Sequence, residues 1–373
     1  MRTYTLTLTI IAGLSVGCGS NGGPAGMSDD DGTGGGPDAG PGPGTGGPGD
    51  GDAPFTKGVS TLSGAATAGY IDGARKDAQF SNPVNVAYRD GIVYVADFDN
   101  GKLRVIDATT HITRTLVAQQ NFKRPFGMAF APSGMLYVST DNDQSGNHTL
   151  MSGSIWRVDI DAGTAVVLAN GLGRPRGLAV LPDGRIAVAD YLHHVIELVD
   201  PHTGQATTIA GAWDVRGMVD GAGAAARFSS PYSLAVRADG KLIVTDFDNN
   251  RIRLVGVDGA TSTLSGASDP GFVDGTMAAA RFSHPQGIVV AASGAVFITD
   301  PGNFRVRRIT GDRVDTIAGN GTGGHVDSDD RLASELYGLE GLAVTGDGTM
   351  LYVADGNRGD NVPYNRIRQV KLD

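Results

Sequence analysis

The stretch from residue 282 to residue 319 constrains the fold more than any other, because it reads as four short apolar strands and close copies of it recur along the chain. Each strand is rich in Val, Ile or Phe and is bounded by Gly, Asn, Asp or Ser, a composition typical of β-strands and their turns. The first two strands of the unit are apolar on both faces. The pattern therefore predicts sheets that are packed on both sides.

Six copies of this unit align between residue 55 and the C-terminus. Each copy has a Ser-Gly or Asp-Gly turn, suited to a tight hairpin, whose Gly lies eight or nine residues after the start of the first strand. The copies open at Pro83, Pro125, Pro175, Pro231, Pro285 and Leu339. Repeats of this length and strand content predict an all-β fold, a six-bladed β-propeller with four-stranded blades, in which every blade is buried between two neighbours.

The two ends of the repeat region predict how the ring closes. The sixth copy stops after its third strand, and the missing fourth strand is found at the other end of the region. Residues 60–65 are identical in sequence to residues 262–267, which form the fourth strand of copy four. We therefore expect the N-terminal strand, residues 58–65, to complete the last blade, which leaves no open seam in the ring.

Residues 1–17 resemble the signal peptide of a bacterial lipoprotein. One charge, Arg2, precedes a mostly apolar run, and the small residue Gly17 stands before Cys18. An ordinary secretory signal is the alternative. Cys18 is the one cysteine in the chain, so the sequence predicts lipidation there and excludes disulfides and multi-cysteine metal sites within the fold. Gly19 after the cysteine resembles the pattern that sorts lipoproteins to the outer membrane.

Residues 18–54 contain Gly, Pro, Ser, Thr and Asp with almost no large apolar residue. Such a segment buries too little surface to offset the entropy of ordering, so we predict a disordered tether. The expected domain organisation is a signal peptide (1–17), this tether (18–54) and a propeller (55–373). The expected location is outside the cytoplasm, lipid-anchored in the cell envelope or secreted.

The charge balance argues against binding to nucleic acid. The chain has 40 acidic and 30 basic residues, a formal net charge of −10, and no concentrated positive patch of the kind that phosphate backbones require. After the signal segment, no stretch is long and apolar enough to cross a membrane. We therefore expect a monomer that meets the membrane through its lipid anchor only.

Three short motifs occur at fixed places in the repeats. The sequence Y-V-A-D occurs at the end of a second strand, N-x-R-I-R opens a third strand, and D-G…A-R-F-x-x-P connects blades. These motifs are found at Tyr94–Asp97 and Tyr352–Asp355, at Asn249–Arg253, and at Asp220–Pro231 and Asp274–Pro285. They resemble the motifs of the NHL-repeat family of six-bladed propellers, and the resemblance extends from residue 55 to the end of the chain. It implies the fold, but the family includes enzymes, binding modules and regulators.

In propellers of this type, ligands usually bind at the channel mouth, near the start of each innermost strand. The residue after each opening position is therefore a candidate, and we predict ligand binding by Phe126, Arg176, Tyr232, Gln286 and Glu340. An Arg and a Glu facing one small pocket could bind a zwitterion or a carboxylate. The alternative is that these two residues pair with each other and fill the channel.

The sequence offers weak signals for metals. A zinc-dependent lyase with this fold binds its metal through His at the channel-facing strand starts, and none of the six positions here is His. A lactonase-like calcium site would need Glu340 and Asn85. The segment Asp141–Asn147 has the spacing of a calcium loop but lacks the closing Glu, and we interpret it as a solvated loop. We therefore assign no catalytic residue, no metal ligand and no cofactor, with calcium or zinc as the alternatives.

The recurring Asp at the end of the second strand, as at Asp97 and Asp300, is predicted to be structural, because it recurs in almost every blade.

The favoured function is a binding module, anchored outside the cytoplasm, that presents its channel mouth and top loops to a protein, peptide or glycan. The alternative is a metal-dependent hydrolase or lyase, lactonase-like or amidating-lyase-like, that works in the channel. A purely structural role in the envelope is the third hypothesis.

Overall fold

The structure is a computed structural model that describes residues 55–267, 269–360 and 362–372. These residues form six antiparallel sheets, each of which is one blade. The all-β, six-bladed prediction is therefore confirmed. Cys18, the signal segment and the predicted tether lie outside the described residues. The described helices are short 3-10 turns, none of them long or apolar enough to cross a membrane.

The strands follow the predicted repeat closely. The first is β1 (Val59–Ala65). Blade one contains β2 (Gly73–Ala74), β3 (Pro83–Arg89), β4 (Ile92–Asp97), β5 (Lys102–Asp107) and β6 (Ile112–Val117). Blade two contains β7 (Pro125–Phe130), β8 (Leu136–Thr140), β9 (Gly153–Asp159) and β10 (Thr164–Leu172). Blade three contains β11 (Pro175–Val180), β12 (Ile186–Asp190), β13 (Val195–Val199) and β14 (Ala206–Gly211).

The second half of the ring has the same plan. Blade four contains β15 (Gly221–Ala222), β16 (Pro231–Val236), β17 (Leu242–Asp246), β18 (Arg251–Val255) and β19 (Ala260–Ser265). Blade five contains β20 (Gly275–Thr276), β21 (Ile288–Val290), β22 (Val296–Asp300), β23 (Arg305–Thr310) and β24 (Arg313–Ala318). Blade six contains β25 (Gly338–Val344), β26 (Met350–Gly356) and β27 (Asn365–Lys371). The 3-10 turns are Arg75–Asp77, Gly223–Ala225, Pro301–Asn303 and Arg331–Ala333.

The ring closes as the sequence predicts. Strand β1 pairs antiparallel with β27, so that Ser60 lies opposite Gln369 and completes blade six. Each innermost strand packs on the next one around the ring, and β25 of blade six packs on β3 of blade one. The backbone hydrogen bonds between β1 and β27 therefore join the N-terminal end of the repeat region, which leads into blade one, to the last blade.

The apolar core lies between the blades, as two-sided burial requires. Every residue of β8, β12, β17 and β22 is buried. Between blades four and five, for example, Ile243 packs in one cluster with Phe282 and Ile288. The innermost strands approach so closely that a Cβ on Gly177 would lie 2.6 Å from Cα of Ser233, which explains a glycine at that position.

Buried hydroxyls tie neighbouring blades together near the channel. Thr245 in β17 donates to the carbonyl of Gln286 at 2.6 Å and accepts the N–H of Ser233 at 2.9 Å. Thr299 in β22 does the same between Glu340 and Gly287. Because each hydroxyl bonds two inner strands at once, it fixes the spacing of adjacent blades and thereby the width of the channel.

The recurring Asp at the end of the second strand belongs to a structural network. In blade four, fully buried Arg253 donates to Asp246 at 2.6 Å and to Asp220 of the preceding connector at 2.7 Å. Asp220 in turn accepts the backbone N–H of Thr263 on the outermost strand. The same Asp–Arg–Asp triad occurs at Asp97–Arg104–Asp72, Asp300–Arg307–Asp274 and Asp355–Arg368–Asp327. The structural interpretation of these carboxylates is confirmed.

Candidate functional site

The innermost strands enclose a channel along the axis of the propeller. Below its mouth, backbone and small side chains of these strands line a cavity of about 300 Å³, with Ala87, Ala179 and Ala343 among the lining residues. At the opposite end from the mouth, the lining ends in apolar side chains such as Tyr88 and Phe130. Most of the side chains that line this cavity are apolar, and the exposed backbone of the strands adds polar surface to it. Charged side chains of the channel lie at its mouth.

The predicted site residues meet at that mouth. The hydroxyl of Tyr232, in blade four, donates to Oε2 of Glu340, in blade six, at 2.9 Å. Blades four and six are not neighbours, so this hydrogen bond crosses the channel. Both side chains are buried. The mouth is thus closed by the chain's own side chains rather than being an open hole.

Arg176 forms the second half of this closure. One of its guanidinium nitrogens lies 3.4 Å from Oδ2 of Asp141, and its guanidinium carbon lies 4.1 Å from the centre of the Phe126 ring. The rings of Phe98 and Tyr191 are each 5.8 Å away. An arginine over aromatic faces and beside a carboxylate has its charge stabilised without water.

Aromatic rings connect these polar residues into one cluster. Phe126 and Tyr232 are in edge-to-face contact with ring centres 5.6 Å apart, and Tyr232 stacks on Phe247 at 5.5 Å. Phe247 also contacts His284, at 4.9 Å. Burial lowers the pKa of His284, so its ring is neutral at pH 7. Tyr191 and His284 are the partly exposed members and form the outer surface of the mouth.

Three buried oxygens at and beside the mouth are hydrogen-bond acceptors without a partner among the described residues. They are Oε1 of Gln286, Oδ1 of Asp141 and Oδ1 of Asn142. A buried acceptor left without a donor is costly, so such groups mark places where water or a ligand contributes the donor. The mouth therefore presents acceptors and aromatic faces to whatever occupies it.

The predicted set is brought together, but it was incomplete. Phe98, Asp141, Tyr191 and Phe247 also belong to the mouth, and each directly follows the last residue of a second strand. The sequence contained that signal, because the position can be counted from the repeated strand-end Asp. Its chemical diversity hid it, since it is Phe, Asp, Tyr and Phe in blades one to four.

Comparisons with curated relatives agree with the geometry. The chain is 27% identical over 289 residues to the Arabidopsis thaliana chloroplastic protein SUPPRESSOR OF QUENCHING 1, covering 66% of this chain and 27% of that one. It is 24% identical over 327 residues to Bos taurus NHL repeat-containing protein 2, covering 79% of this chain and 40% of that one. The chain is an NHL-repeat six-bladed β-propeller. It spans about a quarter to two fifths of the length of these relatives.

No protein-family model matches this NHL propeller. Among solved structures, a protein of unknown function from Bacteroides thetaiotaomicron aligns with a TM-score of 0.69 at 17% identity, covering 85% of this chain and 76% of that one. An auxiliary nutrient binding protein from the same organism aligns with a TM-score of 0.66 at 16% identity, covering 84% and 76%. A gluconolactonase from Xanthomonas campestris aligns at 0.56 and 14% identity, covering 84% and 89%. At these identities the likeness is one of fold.

The described residues of the NHL propeller contain no group of three or more His, Cys, Asp or Glu side chains that could hold a metal ion. In the insertion of blade two, the carboxylate of Asp143 accepts the backbone N–H groups of Ser145 and Asn147 and the side-chain amide of Asn147. Those bonds hold the loop closed on itself. The ligand-binding roles of the mouth residues and the lipidation of Cys18 remain predictions.

Proposed function

We propose that this NHL propeller is a binding module, held outside the cytoplasm by lipidation at Cys18, that takes a glycan at its channel mouth and top loops. The observation that carries the proposal is a set of buried acceptor atoms, on Gln286, Asp141 and Asn142, that have no partner among the described residues and lie beside the partly exposed ring of Tyr191 and the buried ring of Phe247. Sugars bring hydroxyl donors and apolar C–H faces, so they complement both features.

The architecture around the mouth supports a preformed site. Bonds between blades fix the width of the ring, and the hydrogen bond between Tyr232 and Glu340 holds the floor of the mouth in place. A rigid floor lowers the entropy that binding costs. An auxiliary nutrient binding protein with the same fold is consistent with such a role. Peptides and proteins are the other two ligand classes considered.

A ligand screen on purified full-length protein tests the proposal. Thermal-shift and calorimetric titrations would be run against neutral oligosaccharides and against unrelated peptides. We expect saturable binding of at least one oligosaccharide. Binding should be about tenfold weaker for Gln286→Ala, because the neutral amide oxygen that accepts a hydrogen bond from the sugar is lost. The matched control is Gln369→Ala, on β27 of blade six and away from the channel, where Gln369 bonds Ser60 of β1. Peptide binding without sugar binding would refute the glycan assignment.

The same preparation separates the binding module from the metal-dependent hydrolase or lyase. Metal content would be measured by mass spectrometry after dialysis without chelator. One zinc or calcium per chain, together with turnover of a lactone, would replace the binding proposal with the enzyme. Fractionation with and without Cys18→Ala tests the anchor, since the variant should lose its membrane association if Cys18 carries lipid.

A further inference from the structure

The outer edge of blade three differs from the same edge in most other blades. In blades one, four and five a two-residue strand from the preceding connector covers the outermost strand: β2 on β6, β15 on β19 and β20 on β24. In blade six Ser328 pairs with Val59, and in blade two the side chain of Gln119 bonds Ala165. Within the described part of the chain, no segment pairs with the outer edge of β14.

The covering segments share one chemistry. Each reads Asp-Gly followed by Ala or Thr, at residues 72–74, 220–222 and 274–276. In blade four the Asp220 carboxylate accepts the N–H of Thr263 at 3.0 Å and its hydroxyl at 3.1 Å, and Gly221 pairs with Thr261. Asp220 also pairs with the buried Arg253 behind it. The segment therefore binds by strand pairing and by one charge that complements the blade.

Blade three reverses that charge. Glu197 takes the place of Arg253, because it lies opposite Thr208 as Arg253 lies opposite Thr263. Glu197 is 3% exposed, and its Oε2 has no hydrogen-bond partner among the described residues. Burial, reinforced by the charge of Asp190, raises the pKa of Glu197 to about 7. The blade thus holds a buried carboxylate where its neighbours hold a guanidinium.

The neighbouring Asp190, in contrast, has hydrogen-bond donors of its own. Its carboxylate accepts the backbone N–H groups of Gly173, Arg174, Leu192 and His193. These donors take the role that a guanidinium has in the other blades. Oε2 of Glu197 is therefore left without a hydrogen-bond donor from the described residues, and the charge of His193 is the one that favours its ionised form.

Trp213 stands over this position. Its indole N–H donates to Oγ1 of Thr208 at 2.8 Å, so it occupies the place of the Asp220 carboxylate beside Thr263. The ring stacks on His193 at 4.2 Å, and His193 is itself paired with Asp214 at 2.7 Å. Trp213 is 39% exposed, so it covers this position from the solvent side and is not a core residue.

We propose that the outer edge of β14 binds an extended peptide segment of a partner protein, in which a basic residue precedes a Gly and a small residue. The segment would pair antiparallel with β14, as β15 pairs with β19. Its basic side chain would displace Trp213 and reach Glu197. In blade four the blade contributes Arg253 and the covering segment contributes Asp220. In blade three the blade would contribute Glu197 and the peptide would contribute the basic residue, so the two side chains together span nearly the same distance and form the ion pair with its polarity reversed.

The fluorescence of Trp213 allows peptide binding at this edge to be measured. The chain has two tryptophans, and the other, Trp156, is buried in blade two. Full-length protein would be titrated at pH 8 with the synthetic peptide Met-Val-Arg-Gly-Ala-Gly and with Met-Val-Asp-Gly-Ala-Gly, the sequence of residues 218–223. We expect a saturable red shift of the tryptophan emission with the Arg peptide, and none with the Asp peptide.

Two variants and a control decide the outcome. Glu197→Gln should weaken binding of the Arg peptide about tenfold or more, because a charge-assisted pair is lost. Glu197→Arg should reverse the preference and bind the Asp peptide. Asp239→Asn, a charge change at an exposed turn of blade four, should leave binding unchanged. Equal response to both peptides, no response, or a shift that depends on protein concentration alone, which would indicate a second copy at the edge, overturns the proposal.

Discussion

Replacing Arg253 with Met tests whether the Asp–Arg–Asp triads hold the blades together. Arg253 is fully buried and donates to the carboxylates of Asp246 and Asp220 and to the carbonyls of Arg227 and Val219. Methionine keeps the apolar volume of the stem but removes the charge. The fully buried Asp246 carboxylate is then left without its cation.

The expected cost follows from what Asp246 retains. Breaking a buried ion pair by removing one partner costs about 3–5 kcal/mol. Asp246 still accepts the N–H of Ser229 and the amide of Asn249, so we expect the lower end, about 3 kcal/mol. In a domain of this size that corresponds to a fall in Tm of about 4–5 °C.

Thermal melts followed by circular dichroism would measure this loss. Asp220 is half exposed, so Asp220→Asn is the matched control and should cost no more than about 1 kcal/mol. The double variant Arg253→Met with Asp246→Asn should recover part of the loss, because the orphaned charge is gone. A fall in Tm below about 2 °C for Arg253→Met, or strict additivity of the double variant, would refute the reasoning.

Four further predictions follow from the same structure. Deleting residues 55–65 removes the strand that pairs with β27 and should lower Tm sharply, whereas an unchanged melt would contradict closure. Tyr232→Phe should cost about 1–3 kcal/mol in the same melts, because the Glu340 carboxylate loses a buried donor; no change would mean that another group satisfies it. In melts at two pH values, Glu197→Gln should be more stable than wild type by about 3 kcal/mol at pH 8 and by almost nothing at pH 4. The folded pKa of Glu197 lies above the unfolded value of 4.5, so the stability that its protonation contributes is present below pH 4.5 and is lost as the pH rises through 7; an equal difference at both pH values would contradict this. Gly177→Ala should destabilise the ring by about 1–3 kcal/mol through its clash with Ser233, and a neutral result would show that the inner strands can separate.

The channel mouth could be predicted only in part, because its members come from two positions of each repeat. Arg176, Tyr232 and Glu340 follow the opening Pro or Leu and were found by counting. Asp141 and Tyr191 follow the strand-end residue, where the repeat keeps no common residue type. The pairing of Arg176 with Asp141 and its contact with Tyr191 join residues that are distant in sequence, so they leave no local signature and are visible only in the folded ring.

The sequence by itself determined the repeat, the blade count and the closing strand. Strand period, turn residues and the identity of residues 60–65 with residues 262–267 are local features, so they can be recognised in the sequence without knowledge of tertiary contacts. Tertiary structure decided what the polar residues do. It joined Asp246 to Arg253 within a blade, and it joined Tyr232 to Glu340 across the channel. It also left Oε2 of Glu197 without a hydrogen-bond partner among the described residues, because a charged group is satisfied by the groups that the fold brings beside it and not by its neighbours in sequence.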